Sequence, residues 1–132
     1  MNLFVDAGAY LGLLDADDQH HADAAAVLKS LGESRLITSS FVLDEVATRG
    51  GQLVGVPTAS RFVRGLWERA SVHVVEVGRD LFLEGLAIQE KYEDRGLSLT
   101  DAVSVAILRT ARLRTIFTFD RAFRRIGFRV IP

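Results

Sequence analysis

The stretch Leu3-Phe4-Val5-Asp6-Ala7-Gly8-Ala9-Tyr10-Leu11, LFVDAGAYL, decides how the rest of the chain is read. Three apolar residues suit a short buried strand, a carboxylate closes it, and a helical pattern begins at once. The design recurs near the other end as Thr115-Ile116-Phe117-Thr118-Phe119-Asp120, again an apolar strand closing on Asp before a helix. Between the two copies, further strand-like runs stand at Leu36–Thr38 and Val72–Val77, and a last one at Phe128–Ile131. Helical patterns cover about 8–15, 20–31, 40–49, 58–70, 79–94, 99–112 and 120–126. Short apolar strands alternating with helices predict an α/β fold: a parallel sheet of about five strands covered on both faces by about seven helices. In that architecture ligands gather beyond the carboxyl ends of the strands, which is where Asp6 and Asp120 fall.

Length and composition narrow the reading. A chain of 132 residues with no internal repeat or linker is expected to be one domain, residues 1–132, and it has no cysteine for a disulfide, a thiolate nucleophile or a zinc site. The glycines of Gly50-Gly51 and Gly55-Val56-Pro57 predict a loop, not a domain boundary. No Lys or Arg precedes Lys29, and Asp6 and Asp15 break the early apolar runs, so neither a signal peptide nor a membrane span is expected and the chain reads as cytoplasmic. The hydrophobic fraction of 48% suggests apolar surface that a partner or a second subunit covers.

Charge is unevenly placed. Residues 1–60 hold eight acids against three bases, whereas residues 109–132 hold seven arginines against Asp120 alone. Arg121, Arg124 and Arg125 follow Asp120 closely enough to hold phosphate groups in its neighbourhood, or are simply solvated.

Two more acids join the pair at the strand ends. Leu36-Ile37-Thr38-Ser39-Ser40 leads into a helix carrying Glu45, and Asp101 opens a helix whose continuation, Ala102–Leu108, is apolar on nearly every face and must be buried. Taken singly, each acid has an ordinary explanation. Asp6 and Asp120 suit N-caps, Ser98-Leu99-Thr100-Asp101 fits a capping box, and Glu45 suits a solvated helix face. Taken together, the four would share one rim of a parallel sheet. Carboxylates about 4 Å apart repel by about 4 kcal/mol at an effective dielectric of 20, so such a cluster calls for a counter-charge. Mg2+ or Mn2+, which prefer hard oxygen ligands, would meet it and serve phosphodiester hydrolysis. His20-His21 with Asp18 and Asp23 is a weaker metal candidate, because adjacent helical positions point about 100° apart.

With these residues assembled, the chain resembles the PIN-domain nucleases, most of all VapC-type toxins of toxin–antitoxin systems. The resemblance runs nearly end to end: Phe4-Val5-Asp6, Glu45 in the helix after the second strand, Leu97-Ser98-Leu99-Thr100-Asp101-Ala102, and Phe117-Thr118-Phe119-Asp120-Arg121-Ala122-Phe123. It implies a PIN-like three-layer sandwich and a Mg2+- or Mn2+-dependent endoribonuclease. Asp6, Glu45, Asp101 and Asp120 would be the catalytic metal ligands, and Thr118 and Arg121 would support them or touch substrate. It also implies a homodimer with a cognate antitoxin. Ala7-Gly8 departs from the family, which often carries hydroxyl residues after its first acid. Three alternatives stay open: a PIN nuclease without a toxin role, a non-catalytic binding module, and a phosphoryl-transfer domain, for which Lys29 and Lys91 are poorly placed.

Overall fold

The computed structural model describes residues 1–132, and the expected alternation is present throughout. In chain order the elements are β1 (Asn2–Val5), α1 (Ala7–Leu14), α2 (His21–Leu31), β2 (Arg35–Ser39), α3 (Ser40–Val54) and α4 (Val56–Glu68). There follow β3 (Val72–Val75), α5 (Arg79–Lys91), a 3-10 turn (Glu93–Arg95), α6 (Leu99–Thr110), β4 (Thr115–Phe117), α7 (Ala122–Ile126) and β5 (Arg129–Ile131). All strand pairs are parallel, in the spatial order β3-β2-β1-β4-β5. In β1, Leu3, Phe4 and Val5 are all buried although successive side chains point to opposite faces, so the sheet is covered on both sides. No helix is long and apolar enough to cross a membrane.

The strand order positions the site. From β1 the chain winds outward through β2 to β3, and then returns to place β4 and β5 on the other side of β1. The reversal falls between β1 and β4, the switch point at which open parallel sheets leave a crevice beyond their carboxyl ends. Asp6 follows β1 there, and Thr118 to Asp120 follow β4. The Asp6 N–H donates to the Phe117 carbonyl at 3.0 Å, stitching the two strand ends together.

Helix α6 is the buried helix that its apolar run predicts, with all seven residues from Ala102 to Leu108 inaccessible. It ends in a Schellman motif: the N–H of Leu113 donates to the carbonyl of Leu108 at 2.8 Å, and that of Arg112 to Arg109 at 3.1 Å. The residue this motif places in the left-handed region is usually glycine. Here it is Arg112, at φ 55°, where a side chain costs roughly 1 kcal/mol relative to glycine.

One expectation fails. The loop predicted over Gly50 to Pro57 shrinks to a single residue, Gly55, because α3 continues through both glycines to Val54 and α4 starts at Val56 with Pro57 in its first turn. Gly50 is buried, and a Cβ there would stand 2.8 Å from Leu14 Cδ2 and 3.2 Å from Ala59 Cβ. The glycine allows α3 to approach α1 and α4; it does not break the helix.

Candidate active site

Each of the four acids comes from a different part of the fold, and all four line one cleft of about 250 Å³ together with Gly8, Arg49, Ser98, Thr118 and Phe119. Asp6 is the innermost, 6% exposed; Glu45 and Asp101 are half-buried; Asp120 is exposed.

Asp6 stands at the N-cap of α1, yet its side chain makes no capping hydrogen bond. Its Oδ2 instead accepts from Thr118 Oγ1 at 2.8 Å, across 112 residues of sequence, while the same hydroxyl accepts the Asp120 N–H at 3.1 Å. Thr118 thus ties the first acid to the strand that delivers the fourth. Burial pushes the Asp6 carboxyl up to about 7, with the Asp101 carboxylate adding to the effect and the Thr118 bond opposing it.

The segment Thr38-Ser39-Ser40 places Glu45. Thr38 Oγ1 donates to the Val5 carbonyl at 3.0 Å, Ser39 Oγ caps α3 by accepting from Val42 N–H at 3.1 Å, and Ser40 Oγ accepts from Val77 N–H at 2.9 Å. Helix α3 is therefore anchored beside the end of β1 from its first residue, and Glu45 lies one turn in. Burial raises its carboxyl above the usual range; Arg49, one turn further and 4.0 Å away, opposes that shift.

Asp101 has two duties. It completes the capping box read from the sequence, with its N–H donating to Ser98 Oγ at 3.0 Å and its Oδ2 accepting from Ser98 N–H at 3.2 Å. It also lines the cleft, where burial raises its pKa above the usual carboxylate range. Asp120 Oδ1 accepts from Ala122 N–H at 2.9 Å and so does serve the next helix.

The other candidates divide. Thr118 is in the cleft and Arg121, though adjacent to Asp120, is exposed and outside its lining. The histidine pair does not converge: His21 Nδ1 lies 2.7 Å from the Gly12 carbonyl, while His20 stacks on Phe119 at 4.1 Å between centroids, 6° from parallel. Sequence reasoning missed Arg49, whose spacing of four from Glu45 was the available signal, and Phe119, which nothing local marks.

The cleft holds four carboxylates and one base, Arg49, and the hydrogen bonds on Asp6 and Asp101 come from neutral donors. As the side chains stand, no three acids are close enough together to hold a metal ion. The chemistry of the set nevertheless fits a hard divalent cation: all four acids offer oxygen donors, and they outnumber the one base in the lining.

Comparison with known proteins agrees with this geometry. The PIN domain family model matches residues 3–129, and the chain belongs to that family. Its relatives are narrower than the family: the chain is 31% identical to the ribonuclease VapC26 of Mycobacterium tuberculosis, over 98% of this chain and 100% of the relative. It is 25% identical to a VapC ribonuclease of Archaeoglobus fulgidus, over 93% of this chain and 80% of the relative. Among solved structures it is similar to M. tuberculosis VapC20, a sarcin-ricin loop cleaving toxin, with a TM-score of 0.91 and 27% identity over 98% of this chain and 99% of that one.

Proposed function

We propose that this protein is an endoribonuclease of the VapC toxin kind, hydrolysing RNA phosphodiester bonds with the help of Mg2+ or Mn2+ held by Asp6, Glu45, Asp101 and Asp120. The observation that carries the reading is the meeting of four carboxylates from four separate elements in one cleft at the switch point of the sheet. Family membership and the VapC relatives support the ribonuclease class. A cognate antitoxin, a homodimeric state and a cytoplasmic location belong to the same reading.

When bound, the divalent ion supplies Lewis-acid activation of the phosphodiester and of the attacking water. The residues of the chain do the rest. Asp6 is held in one orientation by Thr118, so its reach into the cleft is preset. Asp101 is held by its own capping box at the start of a buried helix. Glu45 and Asp120, being more accessible, can adjust to substrate and ion. Arg49 is the one cation in the lining and can meet a phosphate oxygen, at the cost of its loose contact with Glu45. The Thr118 hydroxyl reaches Asp6 from the segment that follows β4.

The test is cleavage of a mixed panel of single-stranded RNA and DNA by the purified, antitoxin-free protein with Mg2+, Mn2+ or EDTA. Metal-dependent cuts in RNA that disappear in Asp6→Asn are expected. Full activity of a folded Asp6→Asn variant would remove the assignment, and cuts confined to DNA would redirect it.

A further inference from the structure

The arginines of the last quarter of the chain do not all attend the carboxylate cleft. Arg121 lies at its rim, but Arg114 precedes β4 and Arg129 opens β5, so both sit at the opposite end of the sheet from Asp120. Arg114 and Asp120 are six residues apart across β4, at most about 20 Å at about 3.3 Å per residue. Arg129 N–H donates to the Arg114 carbonyl at 2.8 Å, which makes the two residues neighbours on adjacent strands. They flank a hollow of about 520 Å³ lined also by Leu113, Thr115, Gly127 and Phe128. Helix α7, which returns the chain from one rim to the other, carries Arg124 and Arg125.

Three features set this edge apart from arginines that merely coat a surface. Arg112, Arg114, Arg121, Arg124, Arg125 and Arg129 are all exposed, and none takes part in either ion pair of the molecule, Arg49 with Glu45 and Arg95 with Asp94. None of the six side chains hydrogen-bonds elsewhere in the protein, whereas Arg109, on the same stretch, is engaged by Tyr92. Arg112 occupies the left-handed position of a Schellman motif, where glycine would fit without strain. A strained residue that the local backbone does not need points to a use for its side chain.

We propose that Arg112, Arg114 and Arg129 form a phosphate-binding patch that holds a part of the RNA substrate remote from the cut. The proposal rests on the endoribonuclease reading and adds to it a contact remote from the cut, reached by RNA that follows the β5 edge to the far rim. About 20 Å corresponds to about six phosphates of one duplex strand at 3.4 Å each. A strand of about two nucleotides seated in the cleft does not reach the patch. Contacts of this kind position the RNA without reading its bases.

Binding in EDTA, where no cutting occurs, tests the patch directly: fluorescence anisotropy across a salt series, with an RNA hairpin of about 30 nucleotides, a strand of about two, and a DNA duplex of the hairpin's length. For the Arg112→Gln/Arg114→Gln/Arg129→Gln protein, hairpin affinity should fall about 10- to 100-fold and the slope of log K against log salt should flatten by about three, with affinity for the short strand unchanged. Arg112→Gly sharpens the test, since it should flatten the slope by about one while the melting temperature holds or rises. A merely structural arginine would give the reverse. An unchanged slope in the triple variant overturns the patch, as does equal weakening of the hairpin and the short strand. Weakening of DNA binding with no rise in KM for hairpin cleavage assigns the patch to DNA and also overturns it. A wild-type protein that cuts no RNA in Mg2+ while the slope difference persists counts against the nuclease reading alone.

Discussion

Asp6 and Asp120 are the same device in sequence, an apolar strand closing on Asp before a helix, and they end in opposite circumstances. Asp6 is buried, leaves its helix uncapped and takes a hydrogen bond from Thr118 on a strand distant in sequence. Asp120 is exposed and spends an oxygen on the N–H of Ala122. The difference follows from position in the sheet: β1 is central, with β2 and β4 closing over its end, whereas only the edge strand β5 lies beyond β4. A carboxyl group held in so enclosed a place, with no capping duty to explain it, is the one whose loss should matter most.

The two acids can be set against each other by substitution. Asp6→Asn is expected to lower cleavage by about 10³-fold or more, and Asp120→Asn by a distinctly smaller factor, in a gel assay with labelled RNA and Mg2+. Equal losses would remove the distinction between an inner and an outer ligand. The second contrast is in pH. The Asp6 carboxyl stands at about 7 in the folded protein against an ordinary 3.8, so the folded state favours the protonated form. Its stabilising contribution is complete below about pH 4 and lost as pH rises through 7, up to about 4 kcal/mol at 1.36 kcal/mol per unit. Asp101 and Glu45, also raised, act in the same direction. Denaturant unfolding in EDTA should therefore show the protein more stable at pH 5 than at pH 8, and Asp6→Asn should flatten that difference. Asp120→Asn should reduce it only slightly, through the small contribution of the Asp120 charge at Asp101.

Smaller effects refine the comparison. Thr118→Val removes the donor to Asp6 and is expected to cost about 10- to 100-fold in kcat with little change in KM. A loss in KM alone would mean that the hydroxyl serves substrate instead of Asp6. Least of all, Asp120→Ala should lower stability by about 1 kcal/mol through the lost bond to Ala122, while Asp120→Asn keeps it. Thermal melts of the two variants check this.

Much of this was legible in the chain. The five strands, the burial of the helix from Ala102 to Leu108 and the Ser98–Asp101 capping box are local patterns, and local patterns survive folding wherever a core helix or strand must hide its apolar face. Three of the four acids were legible as a set because each ends a strand or sits in the helix after one, positions that a parallel sheet gathers on one rim, and the fourth, Asp101, because it opens the apolar helix before β4. Gly50 misled for an equally physical reason: a glycine that breaks a helix and a glycine that lets two helices touch look the same until the neighbour, here Leu14, is known. His20 was read only against its neighbours in sequence, whereas its partner is Phe119, on another element.

What the sequence determined by itself is the kind of fold, the family, and a list of four carboxylates with the strand ends that carry them, because hydrophobic period and strand-end position are properties of consecutive residues. What only the tertiary structure decided is how unequal those carboxylates are and where the arginines go. Thr118 reaches Asp6 across 112 residues, and Arg114 sits beside Arg129 but a strand's length from Asp120. Both depend on strand order and register, which are set by the packing of the whole sheet and not by any stretch of the chain alone.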